Sequence, residues 1–229
     1  MKAYGKNVFN ELKSNVKNIK KVYLSSSFSD KEIIDFIRDK KIPYVTVEKN
    51  KFDHMVDGNT QGIILEINEY EYKNIKDIDT TQKKIVVLDH LEDPHNFGAI
   101  IRTCEAYGVK SIIIPKDRSV SVTPTVIKTS TGALEYVNIY QVTNLKNTID
   151  FLKDNGYFVY GAEADGKVYE EVDYAEKMVL VIGSEGRGIT RVVRDACDEI
   201  ISIPMKGHVN SLNASVSFGI LIYGTKNWF

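Results

Sequence analysis

Two spacings of hydrophobic residues alternate along most of this chain: helix-like repeats and short, continuous apolar runs. In the first third, the alternation predicts three helices and three strands. They are helix 6–19, strand 22–24, helix 30–40, strand 44–47, helix 51–57 and strand 62–67. Residues 68–82 are polar and show no sustained period, so they are predicted to link two domains.

The alternation becomes stronger after Lys83, where the apolar runs are nearly continuous. The predicted strands are IVVLDHL, SIIIP, 137–140, YFVYGAE, KMVLVIG and IISIP. Five helices are predicted between and after these strands. The first begins at Asn96, the second begins after Thr123-Pro124, the third covers 144–155 with Thr143 as its cap, the fourth lies near 189–197, and the fifth begins at about Asn213. Such strands alternating with helices predict a parallel sheet covered on both faces. The fold class is therefore α/β, with domains at 1–67 and 83–229.

Composition agrees with a globular protein of one or two domains: 229 residues, 43% hydrophobic and 27% charged. The longest apolar runs fall far short of the roughly 20 residues that a membrane-spanning helix needs, so no membrane partner is expected. Two cysteines, Cys104 and Cys197, do not make a disulfide framework, and the N-terminus lacks the apolar core of a secretory signal. A cytoplasmic location is expected.

Positive charge is concentrated at the N-terminus, although the whole chain has a net charge of −1. Residues 1–21 contain six lysines and one acid, Glu11. If residues 6–20 are helical, four lysines share one face, opposite an apolar stripe: Lys6, Lys13, Lys17 and Lys20. This face is either an ordinary solvated surface or a phosphate-contacting patch. On the second interpretation, Lys13 and Lys17 are candidate RNA contacts.

Three predicted strands end in unusual loops, and open α/β sheets bind ligands at such carboxyl ends. The segments are 91–103, 181–189 and 203–215. The second contains Gly183, Gly186 and Gly188, which would let backbone groups approach a ligand closely. Its GxxGxG spacing is not the dinucleotide fingerprint GxGxxG, and no GK[ST] occurs, so nicotinamide and P-loop sites are disfavoured.

Each polar residue in these loops also has a purely structural explanation. Asn96 and Ser211 are good helix N-caps, and Glu185 suits a helix N-terminus. Arg102 lies off the apolar stripe of its helix and is either a surface residue or a group that grips a phosphate. The sequence has no GxSxG, HExxH or Cys/His ligand set, so neither a serine hydrolase nor a metal site is predicted.

Taken together, DPHNFGAIIRT, VLVIGSEGRGI and ISIPMKGHVNSLNAS resemble the three signature motifs of the SpoU (TrmH-like) RNA ribose 2′-O-methyltransferases of the SPOUT superfamily. IIIPKDRS and YQVTNL resemble the branch that methylates a guanosine ribose in large-subunit rRNA. GKNVFNEL and NTQGIIL resemble that branch's N-terminal domain, a small α/β sandwich that binds RNA. Thr60 stands where many relatives have histidine, which leaves an RNA contact at this position open.

This resemblance implies a C-terminal parallel-sheet domain with a deep trefoil knot, S-adenosyl-L-methionine as cofactor, and a homodimer. The cofactor-binding positions that map onto this chain are Gly183, Ile203 and Leu212. The catalytic and substrate positions are Asn96, Arg102, Glu185, Ser211 and Asn213. The C-terminal Trp228 and Phe229 are candidate dimer contacts.

The implied reaction is attack of a ribose 2′-oxygen on the methyl group of the cofactor, in RNA of the large ribosomal subunit or its precursor. Arg102 would either take the proton or bind the neighbouring phosphate; because an arginine pKa lies above about 12, the first role is demanding. Two alternatives stay open: the same chemistry on tRNA or another rRNA nucleotide, and a non-catalytic factor in ribosome assembly.

Overall fold

The computed structural model describes residues 1–208 and 211–225, so the predicted dimer contacts Trp228 and Phe229 lie outside the described residues. The described chain divides into two compact units. Unit 1 comprises Met1–Glu71 and Val122–Gly132, and unit 2 comprises Tyr72–Ser121 and the described residues from Ala133 onward. No helix in the described ranges is both long and apolar enough to cross a membrane.

Unit 1 is built on a mixed four-stranded sheet of order β1-β4-β2-β3. The strands are β1 (Lys2–Tyr4), β2 (Ile19–Ser25), β3 (Tyr44–Val47) and β4 (Ile63–Ile67), and the helices are α1 (Lys6–Leu12), α2 (Lys31–Asp39) and α3 (Lys49–Asp53). β2 pairs with β3 in parallel and with β4 antiparallel. The core contains Phe9, Ile37 and Leu65, each 0% exposed. β1 is a strand that the hydrophobic pattern did not predict.

The continuous helix predicted over 6–19 is wrong beyond Leu12. A 3₁₀ turn, Lys13–Asn18, follows α1, and Ile19 already belongs to β2. The turn has the sequence KSNVKN, and serine and asparagine compete with helical hydrogen bonding. Lys20 therefore lies in a strand, and the four N-terminal lysines do not share one helical face.

α5 (Pro124–Ser130) groups with unit 1, although the sequence placed it within the 83–229 domain. Thr123 caps the helix by accepting a hydrogen bond from the Val126 backbone N–H, with proline at the first helical position as predicted. Ile127 packs against the hydrophobic core of unit 1. Unit 1 therefore contains two segments that are about fifty residues apart along the chain.

Unit 2 contains a six-stranded sheet of order β10-β8-β9-β5-β6-β7 in which every neighbouring pair is parallel, which confirms the predicted parallel sheet. The strands are β5 (Lys84–Asp89), β6 (Ser111–Pro115), β7 (Asn138–Val142), β8 (Phe158–Val168), β9 (Met178–Gly183) and β10 (Glu199–Ser202). The remaining helices are α4 (Pro94–Tyr107), α6 (Leu145–Asp154), α7 (Arg191–Arg194) and α8 (Ala214–Gly224). β6 and β9 are fully buried and β5 is buried from Ile85 onward, as their apolar runs indicated.

Three predicted helix caps are corrected by the structure. Asp93, not Asn96, is the N-cap of α4; Pro94 then occupies the first helical position, where its missing N–H costs nothing. Asn144, not Thr143, caps α6. Asn213, not Ser211, caps α8 and accepts hydrogen bonds from two backbone N–H groups of its first turn.

The second half of the predicted linker is an integral part of unit 2. The backbone N–H of Lys73 donates to the Ile139 carbonyl, so this segment pairs with the edge of β7. Ile78 is only 6% exposed and Ile75 packs against the same core. Two isolated isoleucines anchor an otherwise polar segment, which is too weak a pattern for periodicity to detect.

Candidate active site

The three unusual loops follow strands that lie side by side or near one another in the sheet of unit 2. β5 and β9 are neighbours, and Asp89 at the end of β5 pairs with Gly183 at the end of β9. α4 follows β5, and α8, which follows the third loop, packs against α4 and β9. The loops predicted to carry the chemistry therefore meet at the carboxyl edge of the sheet.

Glu185 joins the three loops through one carboxylate oxygen. Its Oε1 accepts hydrogen bonds from Asn96 Nδ2 at 2.5 Å, from Asn213 Nδ2 at 2.9 Å and from the Ala214 backbone N–H at 3.4 Å. Asn96 is buried, with 4% of its surface exposed, whereas Glu185 and Asn213 are exposed. The structure thus brings together three of the five predicted catalytic residues.

Ser215 lies between two of these residues, and its single hydroxyl proton can be donated to either amide oxygen. Its hydroxyl lies 2.6 Å from Asn213 Oδ1 and 3.1 Å from Asn96 Oδ1. Ser215 is a site residue that was not among the sequence predictions. The available signal was its position two residues after Asn213, where a side chain in the first turn of a helix can meet the N-cap residue. We call Asn96, Glu185, Asn213 and Ser215 the amide ring.

The glycine loop after β9 folds back tightly on its own strand. Ser184 and Gly188 exchange backbone hydrogen bonds of 3.1 and 3.0 Å. A Cβ atom on Gly183 would lie 2.1 Å from the carbonyl carbon of Gly188, so only glycine fits there. Gly186 and Gly188 have φ angles of +81° and +66°, which glycine adopts without strain. Gly183 and Gly188 therefore serve close packing around the loop, whereas Gly186 serves its turn.

Two buried or half-buried carboxylates hold the far end of the same loop, and the sequence analysis missed both. Asp89, 0% exposed, accepts hydrogen bonds from the Thr190 backbone N–H at 2.6 Å and the Thr190 hydroxyl at 2.7 Å. Its other oxygen lies 2.5 Å from His90 Nδ1. Glu163 accepts from the Ile189 backbone N–H at 2.5 Å. Single buried acids leave no periodic trace in a sequence.

Arg102 and Ser211 are not brought into the amide ring. Arg102 is exposed on α4, six residues and therefore roughly 9 Å along the helix axis from Asn96. Within residues 1–208 and 211–225, its guanidinium makes no hydrogen bond or ion pair. Ser211 is exposed just before α8. Both positions are open to a ligand, and their assigned roles stay predictions.

The residues mapped to the cofactor have the mixed character that an adenosyl group with an amino-acid tail requires. Gly183 is buried, and Ile203 and Leu212 are half-buried apolar side chains at the end of β10 and before α8. A neighbouring cavity of about 380 Å³ opens at the carboxyl ends of β5 and β9. It is lined by Leu91, Glu92, Asp93, Ser184, Glu185 and Arg187. Five of these six side chains are polar or charged, and Gly183, Ile203 and Leu212 are not among them, so the three cofactor positions stay predictions.

The cysteines show no sign of reactive or metal-binding roles. Burial raises the pKa of the Cys104 thiol well above its ordinary value, and that of Cys197 to about 12. Both are therefore protonated at neutral pH, whereas metal binding and nucleophilic attack need the thiolate. Among the described residues, no cluster of three or more His, Cys, Asp or Glu side chains could hold a metal ion.

The two N-terminal lysines proposed to contact RNA differ in exposure and in their contacts with other side chains. Lys13 forms an ion pair with Glu32 at 2.9 Å and lies over the ring of Phe36 at 5.3 Å. Lys17 is exposed. The Thr60 hydroxyl accepts a hydrogen bond from the Gly62 N–H at 3.2 Å, so it stabilises the turn before β4. Of the two lysines, Lys17 is the one more available to a phosphate.

Two family models cover most of the chain. The SpoU rRNA methylase family model matches residues 83–223, and the model for RNA 2′-O ribose methyltransferase substrate binding matches residues 2–73. A Staphylococcus haemolyticus relative, named as a TrmH family tRNA/rRNA methyltransferase, is 44% identical over 215 residues, covering 90% of this chain and 86% of the relative.

Solved structures show the same fold. The SpoU methyltransferase AviRb from Streptomyces viridochromogenes, solved in complex with AdoMet, is 19% identical with a TM-score of 0.83, over 98% of this chain and 88% of that one. A TrmH/SpoU tRNA-modifying enzyme from A. aeolicus is 32% identical with a TM-score of 0.57, over 64% of this chain and 76% of that one.

Proposed function

The chain belongs to the SpoU family of S-adenosylmethionine-dependent RNA methyltransferases, and we propose that it methylates a ribose 2′-hydroxyl at a guanosine of large-subunit rRNA. The ribose as acceptor is supported by the substrate-binding family model over residues 2–73. The guanosine and the large subunit are supported by the resemblance of IIIPKDRS and YQVTNL to that branch of the family.

The amide ring is the observation that most supports the proposal that this chain is an active enzyme. It joins one residue from each of the first two motifs, Asn96 and Glu185, to two residues of the third, Asn213 and Ser215, with donor–acceptor distances of 2.5 to 3.1 Å. The ring fixes the first turns of α4 and α8 relative to the glycine loop, and such fixed geometry is the main requirement of methyl transfer.

When bound, S-adenosylmethionine supplies a methyl group on a positively charged sulfur, which is already a strong electrophile. The chain must then orient the ribose hydroxyl for attack, and the proton that the hydroxyl loses as the new oxygen–methyl bond forms passes to water. Arg102 is exposed on α4 and has no partner in the described part of the chain, which supports our proposal that it binds the phosphate beside the target ribose. This role needs no change in the arginine's protonation state, unlike that of a base.

The ring residues would act by positioning rather than by taking the proton. Asn96 and Asn213 both donate to Glu185, so the carboxylate is occupied in holding the loops. Ser211, exposed before α8, is proposed as a second contact to the same phosphate. We further propose that the protein acts in the cytoplasm as a homodimer, for which light scattering at micromolar concentration is the direct test.

The decisive experiment is transfer of labelled methyl groups to purified RNA. Wild-type protein with S-adenosylmethionine should label large-subunit rRNA that lacks the modification, and mass spectrometry or primer extension should map the label to one guanosine 2′-O-methyl. Arg102→Ala serves as the inactive control. Labelling of tRNA instead would replace the proposed substrate, and labelling of no RNA would favour a non-catalytic assembly factor.

A further inference from the structure

A basic cavity lies in unit 2 at the carboxyl ends of β6 and β7, away from the amide ring. It has a volume of about 610 Å³, within the range of sites that hold drug-sized ligands. Three lysines line it and no acidic side chain does: Lys73, Lys76 and Lys116. The other lining groups include amides, threonines and two aromatic rings, Tyr72 and Phe151.

The cavity's charge is not neutralised by the protein itself. All three lysines are exposed, and in the described part of the chain none of them forms an ion pair. By contrast, Lys146 on the nearby α6 pairs with Asp150 at 2.6 Å. A cavity with three uncompensated positive charges attracts an anion, and the fixed charge favours a polyanion that can displace several counterions at once.

The walls of the cavity are held firmly enough to form a site. The Lys73 backbone N–H donates to the Ile139 carbonyl at 2.9 Å, and the Lys116 N–H donates to the Val142 carbonyl at 2.8 Å. Both lysines therefore extend from backbone tied to the edge strand β7. Phe151, 39% exposed on α6, contributes an aromatic ring to the lining of the cavity. A ring beside positive charge is the combination on which unpaired bases stack.

The position of the cavity relates it to the site of chemistry. In the sheet order β9-β5-β6-β7, β7 is two strands from β5, a lateral separation of about 10 Å. Both the cavity and the amide ring lie at the carboxyl edge of this sheet. An RNA strand with its target ribose at β5 can therefore pass over β6 and reach the cavity within the same unit.

We propose that this cavity binds an unpaired nucleotide of the substrate RNA that flanks the methylated one, with its phosphates against Lys73, Lys76 and Lys116 and its base stacked on Phe151. The proposal rests on the proposed function only in taking RNA as the substrate; it holds whichever RNA is modified. It assigns part of RNA selection to the catalytic unit rather than to unit 1 alone.

The test compares two double variants of equal charge. Lys73→Ala/Lys116→Ala removes two cavity lysines, whereas Lys83→Ala/Lys110→Ala removes two from the opposite, amino-terminal ends of the strands. The cavity variant should raise the KM for RNA by about ten-fold or more and reduce the salt slope of RNA binding by about 1.4, the value for two contacts to a single strand. kcat at saturating RNA, affinity for S-adenosylmethionine and Tm should stay unchanged.

The aromatic contact is tested separately. Phe151→Ala should weaken RNA binding by about ten-fold with the salt slope unchanged, because stacking releases no counterions. Tyr136→Ala, which removes a ring that is 70% exposed elsewhere in the unit, is the matched control. If the wild-type protein is active but the cavity variants and their controls change RNA binding equally, the inference about the cavity is overturned and the proposed function stands. If the wild-type protein binds RNA but transfers no methyl group, and the cavity variant still lowers the salt slope of RNA binding, only the proposed function is overturned.

Discussion

Glu185→Ala is the substitution that most directly tests the assembly of the site. It removes the oxygen that accepts hydrogen bonds from Asn96 at 2.5 Å and Asn213 at 2.9 Å, together with the longer contact from the Ala214 N–H at 3.4 Å. Glu185→Gln is the graded companion, since it keeps an acceptor oxygen of the same reach and removes the charge that strengthens the bonds.

The expected loss of stability follows from the burial of the partners. Asn96 is 4% exposed, so its freed amide stays away from water, and a buried donor without a partner costs about 1–3 kcal/mol. Asn213 is exposed, so water replaces its lost acceptor at little cost. We therefore expect Glu185→Ala to lower the free energy of unfolding by about 2 kcal/mol, which is about 4–8 °C in Tm for a domain of this size. Glu185→Gln should lose about half as much.

The assay pairs calorimetry with methyl transfer. Releasing the ring frees three loops, and a misplacement of about 1 Å can reduce a rate roughly 10²-fold, so transfer by Glu185→Ala should fall by at least that factor. Glu105→Ala, which removes an exposed glutamate from α4, is the matched control and should leave Tm and rate unchanged. A Glu185→Ala protein that melts with the control and methylates at the normal rate would refute the ring's structural and functional roles together.

Four further substitutions have defined outcomes. Arg102→Ala should change the free energy of unfolding by less than about 0.5 kcal/mol and reduce methyl transfer by roughly 10²-fold, with unchanged cofactor affinity by calorimetry. Gly183→Ala should cost at least about 2 kcal/mol in urea unfolding because its Cβ meets loop backbone at 2.1 Å, whereas Gly219→Ala, with nothing within 4 Å, should not destabilise. Burial raises the pKa of Glu11 to about 7, so the native state binds more protons than the unfolded state between pH 4.5 and 7. The free energy of unfolding of unit 1 should therefore fall as pH rises through this window, and Glu11→Gln should flatten this pH dependence. Lys17→Ala should reduce the salt slope of RNA binding by about one unit, and an unchanged slope would remove it from the interface.

The sheet of unit 2 was predictable because a buried parallel strand needs a continuous apolar run. The run SIIIP predicted β6 at its observed bounds, and the strand predicted over 44–47 in unit 1 also agrees with the structure. Because parallel strands share a carboxyl edge, the sequence also indicated that the motif loops would lie near one another. Fold class and the place of the site thus follow from patterns that repeat over several residues.

The features of the fold and of the candidate site that were not predicted depend on contacts between distant residues, which no local sequence pattern encodes. Asn96 was a plausible cap in isolation, but Asp93 followed by Pro94 is a better one, and this frees the Asn96 side chain to reach Glu185, 89 residues away in sequence. The same holds for α5: Thr123-Pro124 predicted where the helix begins but not the unit against which it packs. The lysine face failed because one short segment preferred a 3₁₀ turn and a strand to a helix.

The loops of the candidate site are held by carboxylates that each accept hydrogen bonds from another part of the chain. Asp89 binds the end of the glycine loop, Glu163 binds the residue before it, and Glu185 binds the starts of α4 and α8. Such bonds hold the loops in one arrangement, which is what electrostatic preorganisation of a site requires. On the proposed function, architecture and chemistry are carried by different residues: the carboxylates and the amide ring fix the loops, and the exposed Arg102 is the proposed contact to the RNA. Substitutions in the first group must change stability and rate together, whereas substitution of Arg102 must change the rate alone.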